Sequence, residues 1–198
     1  MMLLIVGKSA SGKDTVAGEL ERRGMRSVIS HTTRPRRSAG DRHVFVSDKE
    51  ADRLWDDAVA TTTINGYRYF ATKDDVLAAD IYVIDPAGLY ELAANMPDTE
   101  FAVAYIDADD RMRRRMAIER ADDKDAAAIA FDSRDAEEGP VFDEFRRRIL
   151  GGTGGEDSGL PANIRAAILL RNDYTGETLI EMVDALQEVI RQGPRNPA

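Results

Sequence analysis

Leu3-Leu4-Ile5-Val6-Gly7-Lys8-Ser9-Ala10-Ser11-Gly12-Lys13-Asp14-Thr15 is the stretch that decides how this chain folds. Four apolar residues run without interruption and stop at a glycine, the pattern of a strand buried on both faces. Gly7 to Lys13 has the spacing G-x-x-x-x-G-K. From Thr15 to Arg23 the spacing is helical, with Val16 and Leu20 four apart, and Gly24 ends the run. Strand, glycine-rich loop and helix in direct succession form the context in which this spacing cradles phosphate. The glycines let the backbone curl, so that the N–H groups along Gly7, Ser9, Ala10, Ser11 and Gly12 converge on phosphate oxygens. The helix N-terminus adds partial positive charge. Lys13 reaches the β and γ phosphates of a nucleoside triphosphate.

The residue after the lysine is Asp14, where the pattern has a Ser or Thr that ligates Mg²⁺, and Thr15 follows. Two readings stay open. Asp14 holds Mg²⁺ directly or through water, since Mg²⁺ keeps several waters and favours carboxylates. Alternatively it caps the positive end of the helix dipole.

Outward from this segment, apolar strands alternate with amphipathic helices. Ser27–Ile29, Val44–Val46, Ile81–Ile84, Phe101–Ile106 and Ala166–Leu170 read as strands, and Thr61–Thr72 as β-structure. Ala87–Met96, Asp109–Arg120, Val141–Leu150 and Thr178–Arg191 read as helices. Ser47 with Glu50 forms a capping box for a helix to about Ala58, and Thr72 with Asp75 caps a short one through Ala79. The alternation predicts an α/β fold, a parallel sheet with helices on both faces. Two segments break the rhythm: Asp122–Gly139, acidic and Ala-rich, and the glycine stretch Gly151–Gly155. Both flank Arg-rich helices, which makes this region the candidate for a mobile lid. Gly193–Ala198 reads as a frayed tail.

With 198 residues, 43% of them hydrophobic, the chain suits a single domain over 1–198 with a sizeable core. The net charge of -9 argues against nucleic acid or anionic membranes as general partners. Without cysteine, disulfides and thiolate metal sites are excluded, and His31 and His43 are too few for a His-rich metal site. No apolar run approaches the ~18 residues of a membrane span. The apolar Met1–Val6 is too short for a signal peptide, so a cytoplasmic location is expected.

An anionic ligand in such a chain needs a local cationic cluster. His31-Thr32-Thr33-Arg34-Pro35-Arg36-Arg37 supplies one, with Arg34 and Arg37 three apart and each able to fork onto phosphate oxygens. At these residues the chain resembles the guanylate kinase family of nucleoside monophosphate kinases. Ser30-His31-Thr32-Thr33-Arg34, Arg37 and Phe45-Val46-Ser47 look like its monophosphate-binding segment. Tyr67-Arg68-Tyr69 falls where the family has a Tyr pair, and Asp85-Pro86-Ala87-Gly88 where it has Asp-x-x-Gly. Arg120 and Arg147-Arg148 fall where it carries lid arginines, and Asn172-Asp173 follows the last strand as in the family. The likeness is nearest to a divergent branch whose loop also reads Gly-Lys-Asp-Thr. His43 stands where a phosphate-binding Tyr is common, Val59–Thr63 lacks the guanine-reading Glu, and Ala71 replaces a hydroxyl residue.

The resemblance implies a P-loop three-layer α/β/α kinase with an acceptor-binding region at 31–80 and a helical lid at 111–160. It implies ATP and Mg²⁺ as cofactors and GMP or dGMP as leading acceptor, phosphorylated to the diphosphate by a monomer or homodimer. Lys13 and the loop amides would hold the donor, and Asn172 would touch its adenine or simply form a turn with Asp173. Ser30, Arg34, Arg37, His43 and Tyr69 would hold the acceptor. Asp14, Thr15 and Asp85 would serve the metal, unless Asp85 is only a helix N-cap. Arg120, Arg147 and Arg148 would join on lid closure, while the other arginines of both helices remain solvated. A kinase of another phosphorylated small molecule and a catalytically silent binding module are the competing readings.

Overall fold

The computed structural model describes residues 1–36, 41–64, 66–151 and 159–192. Arg37, most of Gly151–Gly155 and the tail Gly193–Ala198 lie outside the described residues.

The first apolar run is β1 (Met2–Val6), buried along its whole length, and the glycine-rich loop leads from it into α1 (Lys13–Arg22). The chain then leaves for a second sheet. β2 (His31–Thr32) and β3 (Val44–Phe45) are followed by α2 (Asp48–Leu54) and a 3₁₀ turn at Trp55–Asp57. β4 (Ala58–Ile64), β5 (Tyr67–Thr72) and α3 (Lys73–Leu77) complete that excursion. β6 (Ile81–Val83), α4 (Pro86–Asn95), β7 (Phe101–Ala108), α5 (Asp110–Glu119), α6 (Lys124–Leu150), β8 (Ile164–Asn172) and α7 (Gly176–Gln192) return to the main sheet.

The main sheet has the order β6-β1-β7-β8, all parallel, and the smaller one the order β3-β2-β5-β4. β1 is central, with Leu4 opposite Tyr82 on one side and Val103 on the other. Alternate side chains feed two cores. Leu3, Ile5, Ala102 and Ala104 meet Val16 and Leu20 of α1 and Met182, Val183 and Leu186 of α7. Leu4, Val6, Val103 and Tyr105 meet Leu89 and Leu92 of α4 and Phe142, Phe145 and Ile149 of α6. The result is a three-layer α/β/α arrangement. Among the described residues no helix is long and apolar enough to cross a membrane.

Both capping boxes form as their sequences predict, Ser47 with Glu50 and Thr72 with Asp75, although the helices end at Leu54 and Leu77. Two expectations need correction. Ser27–Ile29 is not a strand of its own: a single bridge, Ser27 to Ile81, and the Val28 N–H on the Ile81 carbonyl are all that pair before the chain turns away. Asp122–Gly139 is not a break, because from Lys124 onward it is the first part of the 27-residue α6, which runs through Gly139 and Pro140. Its alanines are strong helix formers, and Asp123 caps it by accepting from the Ala126 N–H.

Phe145 is 2% exposed, edge-on to Tyr90 at 6.0 Å and tilted against Tyr105 at 6.4 Å. Phe145→Ala is expected to cost about 3–5 kcal/mol in denaturant unfolding. A cost below about 1 kcal/mol would mean that α6 is not docked on this face.

Candidate active site

β1, β6, β7 and β8 deliver their C-terminal ends to one edge of the sheet, where ligands of open α/β sheets collect. The glycine-rich loop stands there under tight constraint. A Cβ on Gly7 would lie 2.5 Å from Ser11 Oγ and 2.7 Å from the Ile106 carbonyl. Gly12 has φ of 93°, and a Cβ there would meet Asn172 Nδ2 at 2.2 Å. Ala10, without a glycine's freedom, holds φ at 60°. The loop closes on itself through the Ser11 N–H to the Lys8 carbonyl at 3.1 Å. The amides of Ser9, Ala10 and Gly12 donate to nothing among the described residues. Ser11 Oγ is buried without a hydrogen-bond partner among them.

Three of the loop's carbonyls are held by side chains from elsewhere in the chain. Arg113 Nη1 donates to Ser9 O at 2.9 Å, Tyr174 Oη to Ala10 O at 2.8 Å and Asn172 Nδ2 to Ser11 O at 2.8 Å. Asn172 therefore spends its amide on the loop, and its Oδ1 accepts from the Tyr174 N–H at 2.8 Å in the turn with Asp173. Burial pushes the Tyr174 phenol up to about 12, so it is a donor at neutral pH.

Arg113 sequence reasoning placed among solvated arginines. It is 1% exposed, over the Phe131 ring at 5.3 Å, and joins Asp110 and Asp135, each at 2.7 Å. Burial alone would lower its pKa, but the two carboxylates outweigh this and hold it above the usual guanidinium value. The Asp110 carboxyl, bonded to Arg113, sits below the usual carboxylate range. The signal for Arg113 was its place, four residues after the N-cap Asp109, three after Asp110, and on the buried side of α5.

Lys13 opens α1, with Asp14 Oδ2 3.7 Å from its ammonium. Asp14 and Thr15 are exposed on the first turn. Lys8, also in the loop, reaches Asp143 of α6 at 2.7 Å. Asp85 is an N-cap, its Oδ1 accepting from the Gly88 N–H at 2.9 Å, and it lines the cavity beside the loop. Among the described residues no group of three or more His, Asp or Glu could by itself hold a metal ion. The donor set is all oxygen and sparse, which fits Mg²⁺ carried in with a nucleotide and its waters rather than caged by protein.

The cavity has a volume of about 990 Å³, and its lining includes Ser9 of the loop together with Ser30, Arg34, His43 and Tyr69. Ser30 Oγ lies 3.1 Å from the Tyr82 hydroxyl, itself pushed up to about 12 by burial. His43 faces Tyr69 edge-on at 5.6 Å, with Nδ1 3.3 Å from the Ser30 carbonyl. Arg34 is buried, and four of its five guanidinium hydrogens are already engaged. Nη1 and Nη2 donate to the two oxygens of Asp41 at 2.8 and 3.0 Å, Nε donates to the Tyr69 hydroxyl at 2.9 Å, and Nη1 also reaches the Pro35 carbonyl. These bonds, Asp41 first, raise its pKa further. Asp41, which the sequence reading did not single out, thus occupies the anion position expected for a substrate phosphate.

Thr61, Thr62 and Thr63 also line the cavity, and Thr61 is held through its N–H and hydroxyl by Glu91 of α4. Arg120, at the end of α5, lines the cavity with Arg134, Glu137 and Glu138 of α6. Arg147 and Arg148 do not. Arg147 is exposed and pairs with Glu144, while Arg148 joins Glu144, the Tyr90 hydroxyl at 2.8 Å and the Gly159 carbonyl. Helical phase explains this placement. Phe142, Phe145 and Ile149 fix the buried stripe of α6, and Arg146 is the neighbour turned toward the end of β7, where it binds Asp107.

No family model matches the chain, and no curated protein matches it in sequence. In structure it is similar to the guanylate kinase from Anaplasma phagocytophilum, with a TM-score of 0.50 and 16% identity over 96% of this chain and 84% of that one. The fold is therefore guanylate kinase-like.

Because Arg34 is buried and paired, removing its carboxylate strands a cation. Asp41→Ala is expected to lower stability by about 3–5 kcal/mol, and Arg34→Met with Asp41→Leu to recover most of that loss. Denaturant unfolding of the two single variants and the pair checks this. Equal losses in single and double variants would show that the pair is not a buried unit.

Proposed function

We propose that this chain transfers the γ-phosphoryl group of ATP to a nucleoside monophosphate, with GMP or dGMP the leading acceptor. One observation carries the reading. A G-x-x-x-x-G-K loop with amides uncommitted among the described residues contributes Ser9 to the same cavity that Arg34, Tyr69, His43 and Ser30 line. Nothing else in the cavity calls for covalent chemistry, and phosphoryl transfer needs mainly positioning and charge neutralisation.

In this reading the amides of Ser9, Ala10 and Gly12, with Lys13, bind the donor phosphates. Asp14, Thr15 and Asp85 are the groups that would hold Mg²⁺ or its waters. That ion, when bound with the nucleotide, supplies neutralisation of the β and γ oxygens. Tyr69, Ser30 and His43 position the acceptor phosphate, whose oxygen forms the new P–O bond as the bond to ADP breaks. Arg34 contributes through its remaining Nη2 hydrogen or by releasing Asp41, and Arg120 contributes charge from the cavity rim. Asp85, Glu137 and Glu138 are the cavity carboxylates able to accept from the N–H groups of a guanine edge, in place of the Glu missing from β4. A cytoplasmic enzyme of small molecules, monomeric or dimeric, with neither nucleic acid nor membrane as partner, accords with the charge of -9.

A second reading, a kinase of another phosphorylated small molecule, is favoured by one feature. The wall at Thr61–Thr63 offers hydroxyls and no carboxylate of its own. ADP release from Mg-ATP against GMP, dGMP, AMP, CMP, UMP and dTMP separates the two. Turnover of GMP or dGMP, reduced at least ~10²-fold in Lys13→Ala, is the expected result. ATP binding without turnover of any nucleotide would point to the second reading. Absence of Mg-dependent ATP binding would leave a binding module.

A further inference from the structure

We propose that Arg113, Asn172 and Tyr174 form a clamp on the carbonyls of the glycine-rich loop that holds its N–H groups in place for phosphate. They are positioning residues, acting on the ligand only through the loop's main chain. The inference rests on the reading that this loop binds a triphosphate.

A trans peptide unit is planar, so its C=O and the next residue's N–H point in opposite directions. Turning the Ser9 carbonyl outward to Arg113 turns the Ala10 N–H inward. Turning the Ser11 carbonyl outward to Asn172 does the same for the Gly12 N–H. The Ala10 carbonyl, held by Tyr174, orients the Ser11 N–H that closes the loop onto the Lys8 carbonyl. The amides of Ala10 and Gly12, the two aimed this way, are among those with no partner in the described chain. Each anchor comes from a different place: α5, the end of β8 and the turn before α7.

Backbone strain supports the assignment. Among the described residues only two that are not glycine have positive φ, Ala10 at 60° and Tyr174 at 66°, and they are hydrogen-bonded to each other. Such strain persists where the surroundings over-determine it, and it gathers at binding sites. Gly12 fits the same scheme, because its missing Cβ leaves the space that Asn172 Nδ2 fills. Arg113 extends the clamp to Asp110 and Asp135, and so joins the loop to the two helices along the cavity.

Calorimetric titration with Mg-ATP and with inorganic tripolyphosphate tests this in wild type, Tyr174→Phe, Arg113→Lys and a control, Tyr90→Phe. The control removes a hydroxyl that bonds Gly159, away from the loop. Tyr174→Phe is expected to weaken both ligands about 5-fold, the scale of one hydrogen bond. Arg113→Lys keeps the charge but loses the fork and weakens them at least as much. Tyr90→Phe leaves both unchanged. In turnover, the KM for ATP should rise with the acceptor KM fixed. Unchanged affinity in Tyr174→Phe, or an equal loss in Tyr90→Phe, overturns the clamp while leaving the ATP reading intact. Failure of the wild type to bind either probe overturns the ATP reading and the clamp with it. If Arg113→Lys does not fold, Tyr174→Phe alone decides.

Discussion

The position of β1 constrains everything else in this molecule. A strand with no polar side chain cannot lie at a sheet edge or face water, and its main-chain groups must be paired on both sides. β6 and β7 supply those partners, and helices cover both faces. Its C-terminus is thereby fixed at the middle of the parallel edge. The chain has to turn there, within a few residues and against the Ile106 carbonyl, into α1. Only glycine at 7 and 12 satisfies that turn, so sequence spacing, strand burial and loop geometry are consequences of one packing requirement.

That requirement also explains what could be read in the sequence. The β1–loop–α1 unit, both capping boxes and the alternating strands are local, written in residues a few positions apart. The contacts that complete the site are not. Asn172 and Tyr174 meet Ser11 and Ala10 across more than 160 positions, and Arg113 meets Ser9 across 104. A sequence shows that Asn-Asp favours a turn, but not that the Asn side chain fills the space above a glycine. Arg113 looked like its neighbours Arg111, Arg114 and Arg115 because helical phase, and not residue type, separates the buried one from the rest. Asp41 was hidden for the opposite reason: one acidic residue in a chain with 36 carries no signal until it forks onto Arg34. The misread of Asp122–Gly139 shows composition misleading. Acidity and alanine suggested a break in the alternation, whereas Ala-rich segments with an Asp cap are good helices, and a Gly-Pro pair can be carried inside one.

Charge ties these parts together. The chain is acidic overall, and the cations around its cavity are mostly held by named carboxylates: Arg34 by Asp41, Arg113 by Asp110 and Asp135, Lys8 by Asp143 and Arg146 by Asp107. Buried or half-buried cations need such partners when no ligand is present, because an unpaired charge in low dielectric is costly. Lys13 is different. Its ion pair is a 3.7 Å approach from its own neighbour Asp14, whose side chain is 79% exposed. A lysine so weakly satisfied, at a helix N-terminus and beside amides that donate to nothing among the described residues, is where an incoming polyanion would lose least by displacing existing bonds. At Arg34 the situation is reversed. An anion reaching it would compete with a bidentate carboxylate, so the loop and Arg34 differ in what a bound anion would exchange: the loop would gain one, and Arg34 would trade one for another.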